Sequence, residues 1–236
     1  MSSRQESDYV KVFNAILEAL PARPAVEMFM VDFELGAWNA ISAVFPDAVT
    51  KGCTFHWCQA VWRHIQELGL AATYMKREAT HRYLKQLMAL PFLPSPDIPA
   101  AFQTLKERAN TEPLQSLVGY IDRQWMNHSV FHPSSWTVYR QAVRTNNVVE
   151  GWHHMVNGKA GHRGCTFYKL VPLLLHEAKL VETRVSSENL FRDVRQSSSA
   201  HATQKKLTEA WEQYDAGQLS TGHFLRLCGT VYAPCE

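Results

Sequence analysis

Two acids, Asp32 and Glu150, stand in settings that suit metal chemistry. Asp32 directly follows the apolar run Val26 to Val31, and Glu150 lies within Asn146-Asn147-Val148-Val149-Glu150-Gly151-Trp152-His153. Carboxylate oxygens are the preferred ligands of Mg²⁺. An acid at the C-terminal end of a buried strand points into the crevice where open α/β sheets bind ligands. By pattern alone, Asp32 as the N-cap of the next helix is the commoner use of this residue type. Asn146, His153, His154 and Asn157 share the helical face of Glu150. That polar stripe suits a supported metal-binding carboxylate, although by spacing alone an amphipathic helix with its polar face in water is the commoner case.

Between the two acids lies Cys53-Thr54-Phe55-His56. Cys-x-x-His is half of a zinc-site spacing. Cys58 and His64 are near, but they supply no clean second pair, so zinc is not expected. A supporting role fits better, with His56 orienting a carboxylate through a hydrogen bond. Trp62, Trp125, Trp136 and Trp152 have faces on which bases stack, although core packing is the commoner use of isolated Trp. His128 and His132 read as loop residues.

Alternating elements must position these groups. Tyr9, Val10, Phe13, Ile16, Leu17 and Leu20 predict a helix over 7–20, with Ser7 as a possible cap and Pro21 and Pro24 ending it. Val26 to Val31 predicts a buried strand. Helical spacing resumes over 34–45 and stops at Pro46-Asp47. Ala48 to Phe55 predicts a second strand, and 57–68 a helix with Gly69 as its C-cap. This order fits parallel strands joined by crossover helices. Helices are expected over 76–90, 98–128, 146–157, 167–184 and 203–215. A loose loop is expected through Gly158, Gly161 and Gly164, and a linker at Ser197-Ser198-Ser199.

The ordered series resembles the catalytic domain of Mutator-like element (MULE) transposases. It is carried by Asp32-Phe33-Glu34, by Gly52-Cys53-Thr54-Phe55-His56 with Gln59-Ala60, and by Arg144-Thr145-Asn146-Asn147-Val148-Val149-Glu150-Gly151-Trp152-His153. The likeness runs from about Tyr9 to about Lys179. It implies an α/β fold of RNase H-like type, predominantly helical by residue count, with a large all-helical insertion. It implies Asp32 and Glu150 as catalytic, metal-holding acids for Mg²⁺ or Mn²⁺, with Cys53, His56, Asn146, Asn147 and His153 in support. It further implies DNA as partner, the nucleus as location, and DNA phosphoryl transfer as the ancestral chemistry. The family's first catalytic Asp and its strand meander are expected upstream of the point that aligns with Met1. A chain lacking them is expected to be inactive alone, as a truncated RNase H-like domain. A homo-oligomer or partner chain supplying the missing strands is one expected assembly. A domesticated DNA- or protein-binding helical module is the alternative.

On this reading, residues 1–75 form the first part of the core and 76–140 the helical insertion. Residues 141–185 carry the Glu150 helix, and 186–236 form a helical tail. Composition agrees with a globular chain of 236 residues, 46% hydrophobic and 19% charged, with 7 Trp and 11 Phe. No apolar run approaches the ~20 residues that span a bilayer, and the polar N-terminus has no secretory pattern. Five Cys at irregular spacing do not read as a disulfide framework and favour a reducing compartment. Net charge is only +2, yet residues 51–85 carry six Lys/Arg against two Asp/Glu. A basic face near the acids and a solvated helix surface explain that bias equally well.

Overall fold

Phe13, on α1 (Glu6–Ala19), meets Phe29 of β1 (Met28–Val31) and Phe45 at the end of α2 (Leu35–Val44). Their ring centroids lie 4.9 to 6.2 Å apart, so one aromatic cluster clamps the helix pair to the strand. β2 (Val49–Gly52) then runs parallel to β1, with Met28 opposite Val49 and Val31 opposite Gly52. Parallel neighbours need a crossover between them, and α2 supplies it. α3 (Thr54–Glu67) follows at once, and Gly69 beyond it has a φ of 70°, the left-handed turn that glycine adopts freely. The computed structural model describes residues 5–72, 79–141, 143–161, 165–186 and 198–231.

The chain forms two units, Met1–Thr145 with Lys206–Glu236, and Asn146–Lys205. In the first, the two strands are the whole sheet among the described residues, and helix predominates. α4 (Ala79–Met88), α5 (Ile98–Glu107) and α6 (Glu112–Ile121) build the larger layer, and the short α7 (Pro133–Trp136) closes it. The single helix expected over 98–128 is broken, because Pro113 opens a new helix better than it continues one. After α6 the chain tightens into a π-helical turn, Asp122–Met126. The start of the helix expected at 76–90, Gly164, and Ser197 of the expected linker lie outside the described residues. Ser198 and Ser199 instead open α10 (Ser198–Asp215).

The core of this unit is aromatic. Trp57 and Trp136 are fully buried and stack at 5.2 Å, and Trp125 packs against Trp57 at 6.0 Å. The isolated tryptophans of the first unit are therefore mostly core. The Trp136 indole N–H donates to the carbonyls of Trp125 and Phe131, which satisfies its one polar atom. The last turns of α10 and a helix that the sequence did not reveal, α11 (Thr221–Val231), complete the same core. Trp211 donates to the Phe92 carbonyl at 2.9 Å, and Phe224, Leu225 and Cys228 are buried.

Burial pushes the Cys228 thiol up from 9.0 to about 12 and the Tyr83 phenol up from 10.0 to about 12. Below pH 9 both groups are neutral whether the chain is folded or unfolded. Between pH 9 and 12 only the unfolded chain sheds these protons, so stability falls as pH rises. Thermal melts from pH 8 to 11 are expected to show this decline, and to show less of it in Cys228→Ala.

The second unit contains α8 (Asn147–Ala160), α9 (Phe167–Ser186) and the opening of α10. Lys159 on α8 pairs with the buried Glu177 on α9 at 2.5 Å. Val156 on α8 is buried, while Trp152, Phe167 and Tyr168 are exposed. No described helix is long and apolar enough to cross a membrane.

Candidate metal site in the first unit

Asp32 stands one residue beyond β1, at the carboxyl end of the parallel pair. The cap reading does not hold, because Glu34 occupies the N-cap of α2. Asp32 is instead fixed through its backbone, whose carbonyl accepts from the Trp38 indole at 2.7 Å. The next residue, Phe33, anchors the turn. Its ring packs on Trp125 at 4.6 Å, Phe131 at 5.4 Å and Trp38 at 6.1 Å.

Gly52, paired with Val31, makes room for that ring. A Cβ at position 52 would lie 2.2 Å from Phe33 Cζ. Phe33 is wedged among three aromatic rings, so Gly52→Ala must push it and disturb the turn holding Asp32. Overpacking of this kind costs about 1–3 kcal/mol. Chemical denaturation of Gly52→Ala is expected to show a loss in that range.

Cys53 continues the sheet pairing, its N–H donating to the Val31 carbonyl at 2.8 Å, and its side chain is fully buried. It is also the N-cap residue of α3. The first α3 residue, Thr54, donates its N–H to the Arg144 carbonyl at 3.0 Å. The segment leading to Asn146 is thus tied to the start of α3.

One turn into α3, His56 faces Asp32. Nδ1 lies 2.8 Å from Asp32 Oδ1, with the His side chain 22% and the Asp side chain 50% exposed. The nitrogen is buried and has no well-aligned hydrogen bond, despite the short distance. Distance thus pairs the two atoms while direction does not. Neighbouring ligands on an octahedral ion with bonds of about 2.1 Å sit about 3 Å apart. The Asp32–His56 spacing matches that arrangement, and each side chain offers a ligand atom. An oxygen with one imidazole nitrogen suits a divalent ion.

The pair opens on a cleft of about 380 Å³ lined by Asp32, Glu34, His56, Gln59, Arg63 and Tyr120, with Gln124 and Trp125 completing the wall. His56, Gln59, Ala60 and Arg63 recur at three and four residues and form one stripe of α3. The sequence reading named His56 and the Gln59-Ala60 pair but not Arg63, although the helical spacing was there to find it. Tyr120 and Gln124 carried no such signal, because they come from the helical layer and its π-turn. Burial raises the Tyr120 phenol above its ordinary 10.0, which keeps it a neutral hydrogen-bond donor.

The remaining predicted residues lie in the second unit. Asn146 caps α8, and its carbonyl accepts from Val149 at 2.9 Å and Glu150 at 3.1 Å. Asn147, Glu150 and His153 are exposed. Glu150 sits in the first turn of α8, where the helix dipole favours a negative charge. His153 packs beside Trp152 at 5.3 Å. Of the two expected loop histidines, His128 Nδ1 accepts from the N–H groups of Val130 and Phe131. His132 pairs with Ser134.

A strand-end carboxylate and a helix-borne imidazole, side by side on an open polar cleft, offer two donor atoms to a divalent ion. The family model of the MULE transposase domain matches residues 1–60, a span that includes Asp32, Cys53 and His56. No curated protein and no solved structure matches the chain.

Proposed function

We propose that this chain is a transposase-derived, DNA-directed protein built on an RNase H-like domain, whose divalent-metal centre is formed by Asp32 and Glu150 with His56 in support. The observation that carries the reading is the 2.8 Å approach of His56 to Asp32 at the end of β1, within the span similar to MULE transposases. Glu150 enters this reading through the resemblance carried by Asn146-Asn147-Val148-Val149-Glu150-Gly151-Trp152-His153.

Asp32 and Glu150 would hold Mg²⁺ or Mn²⁺. Such an ion activates an attacking oxygen and stabilises a leaving one on phosphate. The protein's own part is to place the carboxylates and to hold the Asp32 side chain against His56. Cys53 fixes the start of α3, while Asn146 caps the helix of Glu150. Asn147 and His153 flank that acid on α8.

Centres of this class use a third carboxylate that bridges two ions, and positioning does nearly all the work in phosphoryl transfer. Asp32 and Glu150 are two of those acids; these two alone do not make up the full set, and a partner chain or a second copy is one source of the third. Nuclear location follows from action on DNA. The alternative, a helical DNA- or protein-binding module without nuclease activity, draws on the predominance of helix.

Nicking of supercoiled plasmid in Mn²⁺, with DNA binding measured in parallel, tests the reading. Binding with nicking at background is the expected result. Nicking that Glu150→Ala leaves intact would overturn the site assignment, and an absence of DNA binding would overturn the DNA-directed reading.

A further inference from the structure

We propose that the α3 stripe running from His56 to Arg63 is the track for a DNA strand, with Arg63 holding a backbone phosphate beyond the one at the metal. The inference rests on the metal-site reading above and adds the residue that seats the substrate. Among the described residues that line the cleft are two acids, Asp32 beside His56 and Glu34, which accepts from the Tyr9 hydroxyl. The remainder of the lining offers Gln59, Arg63, Tyr120 and Gln124, one cation and three neutral polar groups.

Arg63 is the cation of this wall, and among the described residues no carboxylate pairs with it. Its Nη2 donates to Gln59 Oε1 at 3.1 Å, a neutral contact one turn back along α3 that steadies the guanidinium. Glu67, one turn further on, is engaged by His64 at 2.9 Å. The His64 ring in turn stacks on Tyr120 at 4.3 Å and sets the opposite wall. An exposed guanidinium without an acid partner, beside amide and hydroxyl donors, is matched to phosphate oxygens.

Spacing fixes the register. Seven residues of helix place Arg63 about 10 Å from His56 along the α3 axis. Along the axis of a duplex lying parallel to α3, one strand advances about 3.4 Å per phosphate, so Arg63 meets a phosphate about three nucleotides from the metal. Arg63 is therefore a positioning residue, acting on DNA that the metal site does not itself grip.

Fluorescence anisotropy with a labelled 20-nucleotide DNA, in EDTA and over a range of salt, tests this. In EDTA the metal contributes nothing, so the readout isolates the track. Arg63→Ala is expected to weaken binding about tenfold and to lower the slope of log K against log salt by about one. Arg63→Lys should restore the slope but not the full affinity, because a point charge lacks the bidentate fork. Unchanged slope and affinity in Arg63→Ala would overturn the track, as would absence of DNA binding by the parent chain. The metal-site reading fails separately, by loss of Mn²⁺ binding in the parent chain, so the two failures are distinguishable. Circular dichroism of Arg63→Ala should match the parent, since the side chain is exposed.

Discussion

Asp32→Asn is expected to lower the affinity of the chain for Mn²⁺ by about 100-fold or more, with little change in folding. Groups that merely support metal ligands are typically worth 10–100-fold, and Asp32 is assigned as a direct ligand. The amide keeps the shape of the carboxylate but loses its charge. The turn itself does not depend on that side chain, because the Asp32 carbonyl and the Phe33 ring hold it. Calorimetric titration would show the loss, while melting of the metal-free protein should move little. His56→Ala should act in the same direction with a smaller effect, since imidazole is the secondary partner.

The largest effect on stability is expected at Trp57. Its side chain is fully buried between the Trp136 and Trp125 rings. Trp57→Ala removes a large apolar volume from a core built of rigid rings that cannot collapse into the space. Losses of about 3–5 kcal/mol are typical for such truncations. Domains of this size are held by only about 5–15 kcal/mol, so much of the margin would go. Urea denaturation measures it directly. A loss below about 1 kcal/mol would contradict this account of the core.

The strand-end acid and the crossover pattern were legible in the sequence because both arise from local order. An apolar run followed by Asp gives a strand and a residue at its mouth, and the spacing of Trp38, Ile41 and Phe45 gives the helix between the strands. The pairing of β1 with β2 follows from that order. What could not be read depends on contacts distant in sequence. Nothing local shows that Tyr120 and Gln124 would line the cleft of Asp32, since the first comes from α6 and the second from the π-turn after it. α11 was not read from the sequence; it packs against α4, far away along the chain. The break between α5 and α6 falls at Pro113, which the expectation of helix over 98–128 did not take into account. Arg63 was legible as a helical neighbour of His56 but had no known cleft to face.

The central proposal is that Asp32 and Glu150 serve one metal centre, and a Mn²⁺ titration by electron paramagnetic resonance tests it most directly. Four proteins are compared: the parent, Asp32→Asn, Glu150→Gln and the double variant. Residues that share a ligand couple strongly, whereas independent sites add. The account predicts that each single variant loses most of the binding and that the double variant loses little more. Single losses that simply add, or a Glu150→Gln protein that binds Mn²⁺ as the parent does, would contradict it.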